Sequence, residues 1–259
     1  MLAPEQLNTR ASGRRLLPGR DEHRGGVDSG SPPSTVSSVA QLTPRELEEL
    51  SRRTIAHYQR HAASFWEGTR DHDVSENIEA LLCALGGEPG RHILDFGCGP
   101  GRDLLELRQR GHQPVGLDGC EAFVEMARAR AAVPVHHQQF LALELPREQF
   151  DGVFANASLF HVPTQELPRV LSELWSCLVS GGVLFCSNPR GDNREGYSGE
   201  RYGAYHDEAR WLRLVTGAGF ELIAQYHRPK GLPREKQPWL CTLWRKGDPS
   251  APRSTPLGG

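Results

Sequence analysis

From about residue 91 onward, the chain alternates short apolar runs with longer stretches in which leucine, alanine or valine recurs every three or four positions. Short runs bounded by glycine and polar residues read as buried strands, and three-to-four spacing reads as helices packed by one face. The pattern predicts strands at Arg91 to Phe96, Gln113 to Asp118, Val135 to Gln139, Phe150 to Asn156 and Gly182 to Ser187. Helices are predicted between them at Arg102 to Arg110, Glu121 to Ala131 and Thr164 to Leu178. Such alternation favours a parallel sheet covered by helices on both faces. Ahead of it, Thr43-Pro44-Arg45-Glu46 reads as a capping box with proline at the first helical position. That helix should run through Tyr58 toward Phe65. A second helix near Ser75 places Ile78, Leu81, Leu82 and Leu85 on one face and stops at Gly86-Gly87. Near the end, Phe220 to His227 and Trp239 to Lys246 read as strands joined by the proline-bearing stretch Arg228 to Pro238. A direct connection of that kind predicts an antiparallel pair at the sheet edge.

Two stretches break the pattern. Residues 1–41 are rich in Gly, Ser, Pro and Arg with almost no apolar periodicity, and are expected to be disordered. Glu5, Asp21, Glu22 and Asp28 weigh against an organelle transit peptide there. Residues 248–259 have a similar composition and are expected as a loose tail. One folded domain over 42–247 is therefore expected. With 37% hydrophobic and 24% charged residues, the composition is that of a globular domain. A net charge of −2 argues against a dedicated nucleic-acid binder, although it leaves room for a local basic groove. No apolar run is long enough to cross a bilayer, and the N-terminus lacks the order of a secretory signal. Cys83, Cys98, Cys120, Cys177, Cys186 and Cys241 are scattered without a C-x-x-C pair, which reads as reduced thiols of a cytoplasmic protein. No metal site is expected, since His136-His137 and the other histidines lack ligand spacing.

The candidate chemistry begins at Ile93 to Gly101, I-L-D-F-G-C-G-P-G: an apolar run closed by Asp95, then glycines at 97, 99 and 101. Glycine loses the most freedom on ordering, so three on alternate positions suit a tight turn with a ligand against the backbone. One helix and one short strand later, Val115-Gly116-Leu117-Asp118 supplies a second apolar run ending in a carboxylate. Glycine turn, helix, strand and acidic tip together grip a nucleoside, with the carboxylate on the ribose hydroxyls. Any sharp strand-to-helix turn can carry glycines, so the spacing has to discriminate. Dinucleotide folds want G-x-G-x-x-G, whereas here position 102 is Arg102 and the third glycine comes one residue earlier.

D-x-G-x-G-x-G resembles motif I of the class I S-adenosylmethionine-dependent methyltransferases, and the resemblance covers roughly Tyr58 to Lys246. Asp151 to Asn156, followed by Ala157-Ser158-Leu159-Phe160-His161, resembles the family's fourth motif. Leu178 to Leu184 resembles its L-x-P-G-G-x-L turn, with Ser180 replacing proline. The resemblance implies an α/β fold: a Rossmann-like seven-stranded sheet with helices on both faces and an antiparallel last strand pair. It implies S-adenosyl-L-methionine as cofactor. The cofactor's amino-acid end then falls to donors and acceptors at Asp95, Gly97, Cys98 and Gly99, with Gly101 opening the following helix. The ribose falls to Asp118 with Gly119; a competing reading makes Asp118 the N-cap of the helix at Glu121. For adenine the family usually offers an aspartate after the third strand. Gln139-Phe140 stands there instead, and an amide keeps the carbonyl acceptor without the charge. Cys120 and Phe123 are candidates to flank the ring, Phe123 equally a core residue, and Asn156 completes the cofactor set.

Ligands of such sheets bind outside the carboxyl ends of the strands. Three segments should converge there. Residues 42–90 are expected as an N-terminal helical lid, with Tyr58 and Trp66 its aromatic candidates beside the reading that they merely pack on the core. The loop Asn156 to Pro163 brings His161, a general-base candidate, beside the reading that it only hydrogen-bonds the loop. The stretch from Asn188 through Gly203 and on to His206 brings Arg190, Arg194, Tyr197, Arg201, Tyr202 and Tyr205. Arg190, Tyr58 and His161 are the candidates at the reacting centre. Arginines with tyrosines favour an anionic or carboxylate-bearing small molecule, against the alternative of a solvated loop. The expected function is transfer of a methyl group to O, N or S of a small-molecule acceptor by in-line displacement, with no membrane and with nucleic acid disfavoured. Methylation of RNA or protein, a nicotinamide-dependent oxidoreductase, and a non-catalytic protein retaining the fold stand as alternatives. Oligomeric state is not legible.

Overall fold

A computed structural model describes residues 41–247, so the expectations for residues 1–40 and for the tail from residue 248 lie outside the described residues. The chain opens with α1 (Pro44–Arg60), α2 (Ala62–Thr69) and α3 (Ser75–Ala84). The expected capping box is formed: the Thr43 hydroxyl accepts the Glu46 N–H while the Glu46 carboxylate accepts the Thr43 N–H at 2.7 Å. A single helix to Phe65 is not. The ladder breaks at His61, whose backbone leaves the helical region (φ −114, ψ 16) while its ring Nδ1 sits 2.8 Å from the His57 carbonyl.

Then β1 (His92–Phe96), α4 (Arg102–Gln109), β2 (Gln113–Asp118), α5 (Glu121–Ala131), β3 (Val135–His137), β4 (Phe150–Asn156), α6 (Leu167–Cys177) and β5 (Leu178–Pro189) alternate as the pattern predicts. They continue into β6 (Arg194–Ser198), β7 (Arg201–Tyr205), α7 (Glu208–Gly217), β8 (Phe220–Arg228) and β9 (Trp239–Lys246). The main sheet has the order β3-β2-β1-β4-β5-β9-β8. Its first five strands are parallel, and β9 runs antiparallel to both neighbours. This is the Rossmann-like arrangement expected, with the antiparallel pair at the edge. Strand order reverses between β1 and β4, which opens a crevice at their carboxyl ends. Ile93, Leu94, Phe96, Val153, Phe154, Leu184 and Phe185 are fully buried along the central strands. Among the described residues no helix is long and apolar enough to cross a membrane, and no cluster of His, Cys, Asp or Glu is placed to hold a metal.

The differences from expectation have local causes. Strand β5 starts at Leu178 because Leu178 pairs with Phe150 before the register shifts at Gly152. Helix α6 starts at Leu167, after a turn at 164–166 whose Thr164 N–H donates to the Glu195 carboxylate, 2.8 Å away. The largest difference is the stretch after β5. It is a hairpin, β6–β7, followed by α7, rather than a loop. Tertiary contacts hold the hairpin: its Tyr202 N–H donates to Thr54 Oγ1 (3.0 Å) and the Arg53 guanidinium lies 4.3 Å from the Tyr197 ring centroid. It is thereby fastened to α1.

Candidate active site

At the carboxyl end of β1 the chain must turn sharply into α4, and Gly97, Gly99 and Gly101 all take positive φ there (79°, 52° and 89°). They do so for different reasons. A Cβ on Gly101 would lie 2.7 Å from Ala127 Cα, so this glycine lets α4 pack against α5 and touches no ligand space. On Gly99 a Cβ would meet nothing nearer than a Phe65 ring carbon at 3.9 Å, so this position is open. The turn's donors are spent internally. Gly97 and Cys98 N–H go to the Leu117 carbonyl, Gly99 N–H to Asp118 Oδ2 at 2.9 Å, and Gly101 N–H to the Cys98 carbonyl. The expectation that the turn donates to a ligand is therefore corrected: it offers room and acceptors.

Asp118 ends β2 facing the same space. Its Oδ1 accepts the Cys120 N–H at 2.8 Å, and α5 begins with Cys120 as N-cap without a side-chain cap, so Asp118 is not the helix cap. Burial pushes its carboxyl up to about 6, partly offset by the Cys120 and Gly99 N–H bonds. Both oxygens keep lone pairs for a hydroxyl donor. Beneath the turn, Asp95 is almost wholly buried with Oδ2 unpartnered. Desolvation, and next the Asp103 carboxylate, hold it well above the usual carboxylate range.

A cavity of about 110 Å³, open to solvent at its mouth, lies here. Gly97, Gly99, Asp118, Gly119, Gln139, Phe140, Tyr58 and His161 all line it, together with Cys120, Phe123 and Ser158. The Gln139 amide carbonyl already takes the Ser51 hydroxyl at 3.1 Å, which leaves its second lone pair for another donor. Phe140 is stacked on Phe96, ring centroids 4.3 Å apart.

Several expected residues stand elsewhere. Cys98 is buried against the helices, its sulfur 2.9 Å from where a Gly116 Cβ would be. Asn156 lies in a buried polar chain, donating to Asp103 Oδ2 (3.2 Å) and accepting from Asn77 Nδ2 (3.1 Å). Arg190 is removed from the reacting centre: its guanidinium is tied to the Gln237 and Arg234 carbonyls at 3.0 and 2.8 Å, and it does not line the pocket. Trp66 is covered by the Arg130 guanidinium, 4.1 Å from its ring centroid, and Phe65 lines the pocket instead. The sequence reading missed Leu50, Ser51, Thr54 and Ile55 of α1, which line the pocket with Tyr58. Their signal was present: 50, 51, 54, 55 and 58 make one stripe at helical spacing. Ala157, another lining residue, holds φ +60° without being glycine, a strain of the kind functional sites retain.

His161 follows β4 on a single 3-10 turn. Its Nδ1 is 2.6 Å from the Tyr202 carbonyl, which can only accept, so Nδ1 carries the proton. Nε2 then accepts the Tyr58 hydroxyl at 2.9 Å. Burial holds His161 down to about 4. An imidazole so weakly basic, with its lone pair already taken, is a poor general base, and its evident work is to orient Tyr58. Burial in turn raises Tyr58 above the usual phenol range, against the lowering pull of Arg201.

The residues fit an adenosine-bearing cofactor. Asp118 has free lone pairs for ribose hydroxyls, Gly99 leaves space for close approach, and Asp95 Oδ2 and Ser158 Oγ are buried without partners. Comparison with known proteins agrees. A methyltransferase-domain family model matches residues 93–182. The trans-aconitate 2-methyltransferase of Variovorax paradoxus (strain S110) is 32% identical over 143 residues, 54% of each chain. The malonyl-[acyl-carrier protein] O-methyltransferase of Salmonella typhimurium is 30% identical over 149 residues, 56% of this chain and 54% of that one. The chain thus spans about half the length of these curated relatives. In fold it is similar to the Burkholderia thailandensis 1,6-didemethyltoxoflavin-N1-methyltransferase solved with 1,6-didemethyltoxoflavin and S-adenosylhomocysteine. The TM-score is 0.66 at 19% identity, covering 84% of this chain and all of that one. Motif, sheet order and the matched stretch 93–182 agree in making the chain similar to the class I S-adenosylmethionine-dependent methyltransferases.

Proposed function

We propose that this protein transfers a methyl group to an O, N or S atom of a small molecule, an anionic one in particular. One observation carries the reading: the Gly99 N–H to Asp118 Oδ2 bond, 2.9 Å, which ties the glycine turn of β1 to the acid tip of β2 on one pocket wall. S-adenosylmethionine, when bound, supplies a methyl already activated on a sulfonium, so the chain's own task is alignment. Asp118 would hold the ribose hydroxyls, and Gln139, Phe140, Cys120 and Phe123, which line the same pocket, would surround the adenine. The space beside Gly99, with Asp95 beneath, suits the amino-acid end. Helices α1 and α2 line one wall of the pocket with Tyr58 and Phe65. Holding two reactants in near-attack geometry is worth on the order of 7–11 kcal/mol at best, which suits a site without a strong base. The relatives named for trans-aconitate and 1,6-didemethyltoxoflavin support a small-molecule acceptor, and the one named for malonyl-[acyl-carrier protein] a small carboxylate-bearing group.

Calorimetric titration with S-adenosylhomocysteine and with NAD tests the cofactor. Binding of the former alone is expected, and binding of NAD alone ends this reading. Methyl-labelled S-adenosylmethionine should then label a small-metabolite fraction of a cell extract; label confined to RNA or protein would move the acceptor to a macromolecule.

A further inference from the structure

The hairpin β6–β7 carries a cation with no anion to answer it. It has two carboxylates, and both are committed elsewhere. Glu195 accepts the Tyr202 hydroxyl at 2.7 Å and the Thr164 N–H at 2.8 Å, while Glu200 pairs with Arg60 and with His57 on α1. Arg201 makes no ion pair among the described residues. Its guanidinium carbon instead lies 5.9 Å from the centroid of Tyr58, a ring that lines the cofactor pocket, and it reaches toward the Tyr58 hydroxyl.

The strand pleat adds a second donor. Successive side chains of a strand point to opposite faces, so Arg201, Gly203 and Tyr205 share one face of β7, while Tyr202 and Ala204, both buried, share the other. Gly203 is the notch between them. A Cβ there would lie 2.7 Å from Tyr205 Oη, which means that the phenol leans back along the strand over Gly203 toward Arg201. The Tyr205 hydroxyl has no hydrogen-bond partner among the described residues. Arg201 and Tyr205 therefore gather donors on the hairpin just behind the pocket wall, beside Tyr58, whose own hydroxyl proton goes to His161 Nε2.

We infer that Arg201 and Tyr205 form the acceptor subsite, and that the group they hold is a carboxylate, methylated on oxygen to an ester. The inference rests on the proposed methyl transfer and sharpens its acceptor. A planar guanidinium matches a carboxylate through paired N–H bonds. A carboxylate also needs no proton removed: an oxygen lone pair becomes the O–CH₃ bond, the S–CH₃ pair stays on sulfur, and no proton is released. This agrees with a site whose one histidine is neutral, weakly basic and engaged with Tyr58. An amine or phenol acceptor would have to lose a proton, and the histidine lining the pocket has its lone pair on Tyr58.

The test is calorimetry on the full chain saturated with S-adenosylhomocysteine. The probes are acetate, succinate, glutarate and citrate, each against its amide. At least one carboxylate should bind at least roughly tenfold tighter than its amide. Arg201→Gln should remove that preference, weakening the carboxylate by roughly 10- to 100-fold while S-adenosylhomocysteine affinity and thermal midpoint hold. Arg201→Lys should recover part of it, and Tyr205→Phe should lose a smaller part. Labelled product from a cell extract should release methanol in mild alkali, as esters do. The subsite assignment fails if no carboxylate is preferred over its amide, if Arg201→Gln leaves the preference intact, or if the product is alkali-stable. Failure of wild-type protein to bind S-adenosylhomocysteine would instead overturn the underlying methyltransferase reading, and this inference with it.

Discussion

The sharpest perturbation of the cofactor site is Asp118→Asn. Size and shape are retained, while the charge is lost along with one of the two acceptor atoms. In the native chain Oδ2 takes the Gly99 N–H and Oδ1 the Cys120 N–H, and both have capacity left for ligand hydroxyls. An amide there sets its NH₂ against one of those N–H groups, donor against donor. The ligand loses one or two charge-assisted bonds, each worth about 1.5–3 kcal/mol, so S-adenosylhomocysteine should bind weaker by about 2–4 kcal/mol, roughly 30- to 1,000-fold. The pH profile gives a second reading of the same group. Because burial raises the Asp118 carboxyl to about 6, the free protein is increasingly protonated below that value, whereas ribose hydroxyls donate to the charged form. Affinity should be flat above about pH 6 and fall by up to about tenfold per unit below it, and the Asn variant should lack that limb. Titration calorimetry at about pH 7.5 and about pH 5, with thermal melts to establish folding, measures both effects. An analogue lacking the ribose 2′-hydroxyl should bind wild type more weakly yet cost the variant little more. If the Asn variant binds within roughly threefold of wild type with the same pH dependence, Asp118 does not hold the nucleoside.

Gly99→Ala and Gly101→Ala should separate ligand space from packing. Alanine at 101 meets Ala127 at a φ of +89° and should cost about 2–4 kcal/mol in urea unfolding, whereas alanine at 99 costs about 1 kcal/mol but puts its methyl in the pocket and abolishes S-adenosylhomocysteine binding. Equal stability losses in the two would refute this division. His206 is buried and held down to about 4, so it is neutral in the fold while an unfolded chain protonates it below about 6.5. Its contribution is intact at neutral pH and lost as pH falls from about 6.5 to 4, by up to about 1.4 kcal/mol per unit, and His206→Gln should flatten the stability profile by that slope. Asn77 bridges the Tyr226 hydroxyl (2.9 Å) and Asn156 in the buried network below the pocket. Asn77→Ala orphans both and should cost about 2–3 kcal/mol in urea unfolding; a loss under about 0.5 would mean that the network relaxes freely.

Which parts of this molecule were legible before folding follows from what each depended on. Strands β2, β4 and β9 and helix α5 have the bounds predicted, because apolar period and turn chemistry are properties of a dozen consecutive residues. The glycine turn and Asp118 were legible for the same reason, since one helix and one strand bring the two ends together. The hairpin β6–β7 was not. R-E-G-Y-S-G-E-R-Y-G-A-Y has three glycines and no apolar alternation, and it is ordered by Thr54, Arg53 and Arg60 of a helix some 140 residues earlier. Arg190 was misplaced because an arginine's neighbourhood is set by whichever carbonyls the tertiary fold puts within reach, here those at 234 and 237.

By itself, then, the amino-acid order determined the alternating sheet, its antiparallel edge and the glycine turn after β1, all encoded in local periodicity and in backbone conformations that only glycine adopts cheaply. Only the tertiary structure decided that Gly101 serves packing while Gly99 leaves space, that the lone pair of His161 is occupied by Tyr58, and that Arg201 stands beside the pocket without a counter-charge. Those outcomes depend on which distant atoms share a neighbourhood, and long-range proximity has no signature in a local pattern.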